Sequence, residues 1–155
     1  MNLTSNMNRL LKIFAIGIFV FAMSIASYAK DVALVVAKNS KLATLQSASL
    51  AKAFKSLPAR LENGGDVVIV VKALNAPEAQ VFATKVLGQS HDVLNDAAAK
   101  RSVIVVGSDA EVIRIVASTP NAIGIIDVYS ITGAISVAKI DGKLPLEPGY
   151  LLHYN

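Results

Sequence analysis

The chain has 155 residues, of which 54% are hydrophobic, with 15 basic and 11 acidic side chains, two histidines and no cysteine. Without cysteine there are no disulfides, no thiol catalysis, no zinc-thiolate site and no lipid attachment through an N-terminal cysteine. The formal charge of +4 comes from scattered residues, with Lys100-Arg101 the one adjacent basic pair, so no basic stripe tracks a phosphate backbone and a nucleic-acid partner is not expected.

In chain order, the first 29 residues read as an export signal. Asn8, Arg9 and Lys12 precede an apolar run from Ile13 to Met23, short for a bilayer span and suited to a signal h-region. Ser27-Tyr28-Ala29 offers small residues at the two positions a signal peptidase reads, which predicts cleavage after Ala29 and a periplasmic mature chain, Lys30 to Asn155, with no stable membrane insertion. An uncleaved anchor is the competing reading. Loss of Arg9 and Lys12 leaves 13 basic against 11 acidic residues, a net charge of +2. The mature length fits one compact domain, with two small lobes sharing a core as a variant of it.

Asp31 to Ala37, DVALVVA, is a continuous valine-rich run and predicts a strand buried on both faces. Asn39 and Ser40 end it. Leu45, Leu50 and Phe54 predict a helix from about Leu45 to Ser56, with Pro58 at its exit. Asn63-Gly64-Gly65 is a turn, and Asp66 to Lys72, DVVIVVK, a second buried strand. After Asn75, Ala79, Phe82 and Val86 share a helical face that Gly88 ends; a weaker helix is expected from Asp92 to Lys100, and a third buried strand over Ser102 to Val106.

Ser108 to Val128 is the most telling stretch. Ser108 and Glu111 have the spacing of a reciprocal capping box, Val112, Ile115 and Val116 share one face, and Thr119-Pro120-Asn121 stops the helix before the strand AIGIIDV. Ala134 to Ile140 is the last strand, turning at Asp141-Gly142, and Leu144 to Asn155 reads as an irregular packed tail. Apolar strands alternating with amphipathic helices predict an α/β protein with a largely parallel or mixed sheet.

Catalytic chemistry is hard to place. His91 and His153 lack a nucleophile or metal partner at any recognisable spacing and read as surface or structural residues. GxSxG, HExxH, P-loop and GxGxxG patterns are absent from the sequence. Asp92 with Asp96, and Glu62 with Asp66, read as solvated pairs, so neither a metal nor another cofactor is expected, and the chain is not expected to be an enzyme. Helix starts after buried strands remain, because their free amides and dipole receive anions. Asn75-Ala76-Pro77-Glu78 and Gly107-Ser108-Asp109 are two such places. Each carries an acid in its first turn, which favours self-capping over an incoming anion.

The order of features resembles the short phosphate-transporter-type substrate-binding proteins. The resemblance runs from Asp31 to about Asp141. It rests on the strand ending in Asn39, the LAKAF helix, the glycine turn, the VVIVV strand, the helix with Phe82 and Val86-Leu87-Gly88, and above all EVIRIVASTPNAIGIID, where the family usually reads TPGAIGY. Asn121 stands in for a glycine, which implies a left-handed backbone there. The implied fold is a shortened periplasmic-binding-protein type 2 domain, a mixed sheet flanked by helices. In that family an arginine and then a Ser-Gly-Thr follow the strand matching Val67 to Val71 and hold the phosphate. Here they fall at Lys72 and at Ala76-Pro77-Glu78, so the charge is kept, two hydroxyls are lost, and a carboxylate enters. Lysine offers a point charge where arginine offers a bidentate fork.

The resemblance thus implies a degenerate phosphate site with an altered or absent ligand. Lys72, Asn75, Ser108, Asn39 and Ser40 are the candidate ligand-binding residues, and a phosphate-like anion and an ABC permease the candidate partners. A non-transport envelope scaffold that kept the fold is the alternative.

Overall fold

A computed structural model describes residues 30–62, 65–88 and 92–154. The predicted export signal and cleavage point, the first two of the three predicted turn residues (Asn63 and Gly64) and His91 lie outside the described residues.

The strands are β1 (Lys30–Ala37), β2 (Thr44–Leu45), β3 (Val68–Val71), β4 (Val103–Val105), β5 (Ala122–Asp127), β6 (Ile135–Val137), β7 (Lys139–Ile140) and β8 (His153–Tyr154). The helices are α1 (Ser47–Ala53), α2 (Pro77–Lys85), α3 (Asp92–Ala99) and α4 (Asp109–Ser118), with a 3-10 turn at Val128–Ser130. The main sheet has the order β4-β3-β5-β1-β6, and β8 pairs with the start of β1. β3, β4 and β5 run parallel. β1 runs against β5, with Val32 opposite Asp127, and against β6. The sheet is therefore mixed.

The continuous apolar run of β1 is covered on both faces of the sheet. Side chains alternate along a strand, so Val32, Leu34 and Val36 enter one core with Leu50, Phe82 and Leu94 from α1, α2 and α3. Ala33 and Val35 enter a second core with Val112 and Val116 of α4. Each fully buried Leu or Ile contributes about 1.5–3 kcal/mol relative to exposure, and the central strands supply several: Leu34, Ile69, Ile123, Ile125 and Ile126 are all buried.

Several details depart from the sequence reading. The first helix starts at Ser47, two residues later than expected, because Leu45 pairs as β2 with Ile140 of β7. The last strand breaks at Ala138, whose amide donates to the Leu34 carbonyl at 2.8 Å while the Lys139 amide turns to that of Ala43 at 2.9 Å. The chain leaves the main sheet there for a small second one. β4 is an edge strand, half solvated at Ile104 (37% exposed) and Val105 (46%). The tail contains β8. Asn121 has no positive φ; among the described residues Arg101, Asp141 and Leu146 are the non-glycine residues that do. Instead, the Asn121 carbonyl accepts the Val68 amide at 3.1 Å and its Nδ2 donates to the Asp66 carbonyl at 3.2 Å.

Candidate functional site

In a sheet of parallel strands with helical crossovers, ligand chemistry concentrates where the strands end and the helices begin. β3 and β5 end at one edge of this sheet. Lys72 follows β3, α4 begins four residues after β4, and Ser130 closes the 3-10 turn after β5. Pro77 opens α2, where its missing amide costs nothing, and Glu78 sits next to it in the first turn.

These elements bring one cation and two carboxylates together. Lys72 Nζ lies 3.0 Å from Glu78 Oε1 and 3.6 Å from Asp109 Oδ1. Ser130 Oγ donates to Asp109 Oδ2 at 2.6 Å. Glu78 is buried, at 6% exposure; its Oε2 and the Oδ1 of Asp109 are buried without a hydrogen-bond partner. Burial alone lowers the basicity of the Lys72 ammonium, but the hydrogen bond to Glu78 and the charges of Asp109 and Glu78 outweigh it, and the net shift is upward. Two carboxylates against one ammonium leave one negative charge. The starts of α2 and α4 each add roughly half a positive charge, so the cluster is close to neutral with no external ion.

The capped helix start is likewise satisfied from within. Ser108 Oγ accepts the Glu111 amide at 3.3 Å, and Glu111 Oε2 accepts the Gly107 amide at 2.6 Å. The returning carboxylate thus reaches one residue further back than the reciprocal pattern predicts. Ser108 stands beside the Lys72 cluster by virtue of its neighbour Asp109, and Asn75 is exposed on the loop between Lys72 and α2. Asn39 and Ser40 are elsewhere. β1 runs antiparallel, so its end points to the opposite edge of the sheet, where Ser40 Oγ donates to the Pro120 carbonyl at 2.8 Å. Asn39 there lines a cavity of about 270 Å³ with Lys41, Asp66 and Asn121. The five candidates therefore divide between two edges.

Ser130 has no counterpart among the sequence expectations, and Asp109 enters them only as the acid in the first turn of a helix start. The signal for both is their place within four residues of the ends of the apolar strands β4 and β5, positions that a parallel sheet gathers at one edge. A separate cavity of about 580 Å³ is lined by Asp31, Lys85, Glu147, Tyr150 and His153. Its polar groups are engaged within the fold: His153 Nδ1 pairs with Asp31 Oδ1, Leu146 donates its amide to Asp31 Oδ2 at 3.0 Å, and Lys85 Nζ bonds the His153 carbonyl. Among the described residues no group of three or more His, Cys, Asp or Glu side chains is placed to hold a metal, and no helix is long and apolar enough to cross a membrane.

Comparison with solved structures gives the architecture its context. An ABC-type phosphate transport receptor from Vibrio cholerae superposes with a TM-score of 0.62 at 16% identity, over 81% of this chain and 54% of the receptor. PstS from Borrelia burgdorferi superposes with a TM-score of 0.62 at 14% identity, over 82% of this chain and 55% of its own. This chain has the fold of phosphate-transport binding proteins. A putative phosphate ABC transporter substrate-binding protein from Clostridium perfringens, solved with bound phosphate, agrees at a TM-score of 0.56 and 19% identity, over 74% and 46% of the two chains. The chain spans about half the length of these binding proteins. No protein-family model and no curated protein matches its sequence.

Proposed function

We propose that this protein is an exported, non-enzymatic binding-protein-like module of the periplasm, folded as one domain over residues 30–155, whose phosphate site is degenerate. The observation that carries the reading is the Lys72–Glu78 pair: the cation that would meet an oxyanion is already 3.0 Å from a buried carboxylate of its own chain. Free phosphate entering there meets two carboxylates and gains one ammonium that is already engaged. Asn75 and Ser108 flank that cluster and complete the altered site. Asn39 and Ser40 contribute to a different surface.

Isothermal titration of the mature chain with phosphate, sulfate and small organic anions tests this directly. No phosphate binding is expected; saturable phosphate binding with one-to-one stoichiometry overturns the degenerate site. The self-neutralised cluster also favours the second reading, an envelope scaffold that kept the fold without a ligand. Crosslinking in whole envelopes separates the two. Capture of an ABC permease supports a transport role, and capture of other envelope proteins with no permease supports the scaffold.

A further inference from the structure

We infer that the Glu78 carboxylate is the resident anion of the Lys72 site, a tethered ligand whose removal turns the site into a receptor for small free oxyanions. The inference rests on the reading that the natural chain leaves phosphate unbound, and it makes Glu78 the residue that sets this specificity.

Glu78 does not behave as an ordinary helix-start carboxylate. A side chain capping its own helix accepts a hydrogen bond from a first-turn amide, whereas here Oε1 meets Lys72 and Oε2 accepts no bond at all while fully buried. α2 has nine residues, and its N-cap, Ala76, gives no side-chain cap. Asp109 differs: it holds Ser130 through Oδ2 at 2.6 Å as well as facing Lys72. Asp109 is therefore anchored to the rim, and Glu78 is bound to the fold's cation alone, as a ligand would be.

The charge count gives the consequence. With Glu78 truncated at Cβ, Lys72 and Asp109 cancel, and the two helix starts leave roughly one positive charge facing the vacated space. The atoms removed are a methylene and a carboxylate, the size and shape of acetate. Acetate fits that space as the missing half of the side chain, and phosphate is the larger test of the same positive cluster.

The experiment compares the wild type, Glu78→Ala and the double variant Lys72→Met/Glu78→Ala by thermal unfolding and titration calorimetry in acetate, phosphate and chloride at matched ionic strength. Glu78→Ala is expected to gain several degrees of Tm, saturably, in acetate and to a lesser extent in phosphate, since a ligand that binds only the folded state stabilises it by mass action. The wild type should gain no more than it does in chloride, and the double variant should lose the response. A folded Glu78→Ala that ignores both anions overturns the inference, as does a response that persists without Lys72. If Glu78→Ala is unfolded in chloride, acetate must restore its folding, and failure to do so is equally decisive against the inference. Glu78→Ser, which refills part of the space with a hydroxyl, should respond to acetate more weakly; a folded, unresponsive Glu78→Ser also counts against it. Phosphate binding by the wild type refutes the degenerate-site reading instead, so the two failures are distinguishable.

Discussion

The carboxylate of Asp141 accepts both the backbone amide of Ser47, at 2.9 Å, and its hydroxyl, at 2.7 Å. Ninety-four residues separate the two, yet Asp141 supplies the acceptor that the first turn of α1 lacks, because its N-cap residue, Gln46, makes no side-chain cap. Asp141 also holds a left-handed backbone, with φ 49°, which aspartate and asparagine tolerate better than alanine. Asp141→Ala should cost about 1–2 kcal/mol, the usual loss for a removed cap. Asp141→Asn, which keeps one acceptor and the backbone preference, should cost less than half of that. Urea unfolding followed by circular dichroism measures both, and equal losses for the two variants would contradict the cap.

Gly124 lies at the centre of β5, where α4 presses onto the sheet. A Cβ built there would stand 2.7 Å from Val112 Cγ1, 2.8 Å from Val35 Cγ2 and 2.9 Å from Val116 Cγ2. All three are β-branched side chains, stiff at χ1, on two different elements, so no single rotamer change makes room. Gly124→Ala should destabilise by about 1–3 kcal/mol through overpacking, and Gly124→Val should leave the chain unfolded. A Gly124→Ala protein with an unchanged urea midpoint would show that α4 can move away from the sheet.

The same glycine shows how much of the fold could be read from the sequence. Ser108 to Val128 announced a capped helix, a stop and a buried strand, and all three are present, because each rests on residues within a few positions of one another. DVALVVA likewise announced burial on both faces. Its direction was not legible: nothing in an apolar run says whether it lies parallel or antiparallel to strands nearly a hundred residues away. That one unknown separates Asn39 and Ser40 from Lys72, since the antiparallel course of β1 sends its end to the opposite edge. Lys72 and the intrusive carboxylate of Glu78 follow from the family resemblance, which places both at the end of β3 and the start of α2. Asp109 and Ser130 join the site only through sheet topology, and the β2–β7 pairing depends on a two-residue strand too short to leave a periodic signal.

Lys72 should make its stability contribution visible in alkali. Its folded-state pKa is raised above the ordinary lysine value, so the folded state holds this proton more tightly than the unfolded chain does. The contribution is complete below about pH 10.5, the unfolded value, and is lost as pH rises through the higher folded value. Lys72→Met removes it at every pH and leaves Glu78 buried without its cation. The expected cost near neutrality is about 1–3 kcal/mol, below that of a fully enclosed pair because a third of the Lys72 side chain remains in water. Above about pH 10.5 the gap between the variant and the wild type should begin to narrow. A constant gap between their urea midpoints from pH 8 to 11.5 would contradict the coupling.

Tyr150 should produce an alkaline loss of its own, separable from that of Lys72. Its hydroxyl donates to the Val32 carbonyl at 2.7 Å, pinning the tail to the first buried residues of β1. Burial is the main influence on this phenol and pushes its pKa upward; a backbone hydrogen bond opposes the shift, and the nearby charge of Asp31 adds to it. For an acid the sign follows directly: the unfolded phenol ionises near pH 10 while the folded one stays protonated, so stability falls as pH rises above 10. Tyr150→Phe removes the titrating group and the hydrogen bond together. It should be less stable than the wild type by about 1 kcal/mol at pH 7 but lose less between pH 9.5 and 11.5, so that the two stability curves close on each other. Lys72 is present in both proteins, and its contribution cancels from the difference. Stability curves that stay parallel across that range would mean that Tyr150 ionises equally in the folded and unfolded chains and that its burial against β1 is not maintained in solution.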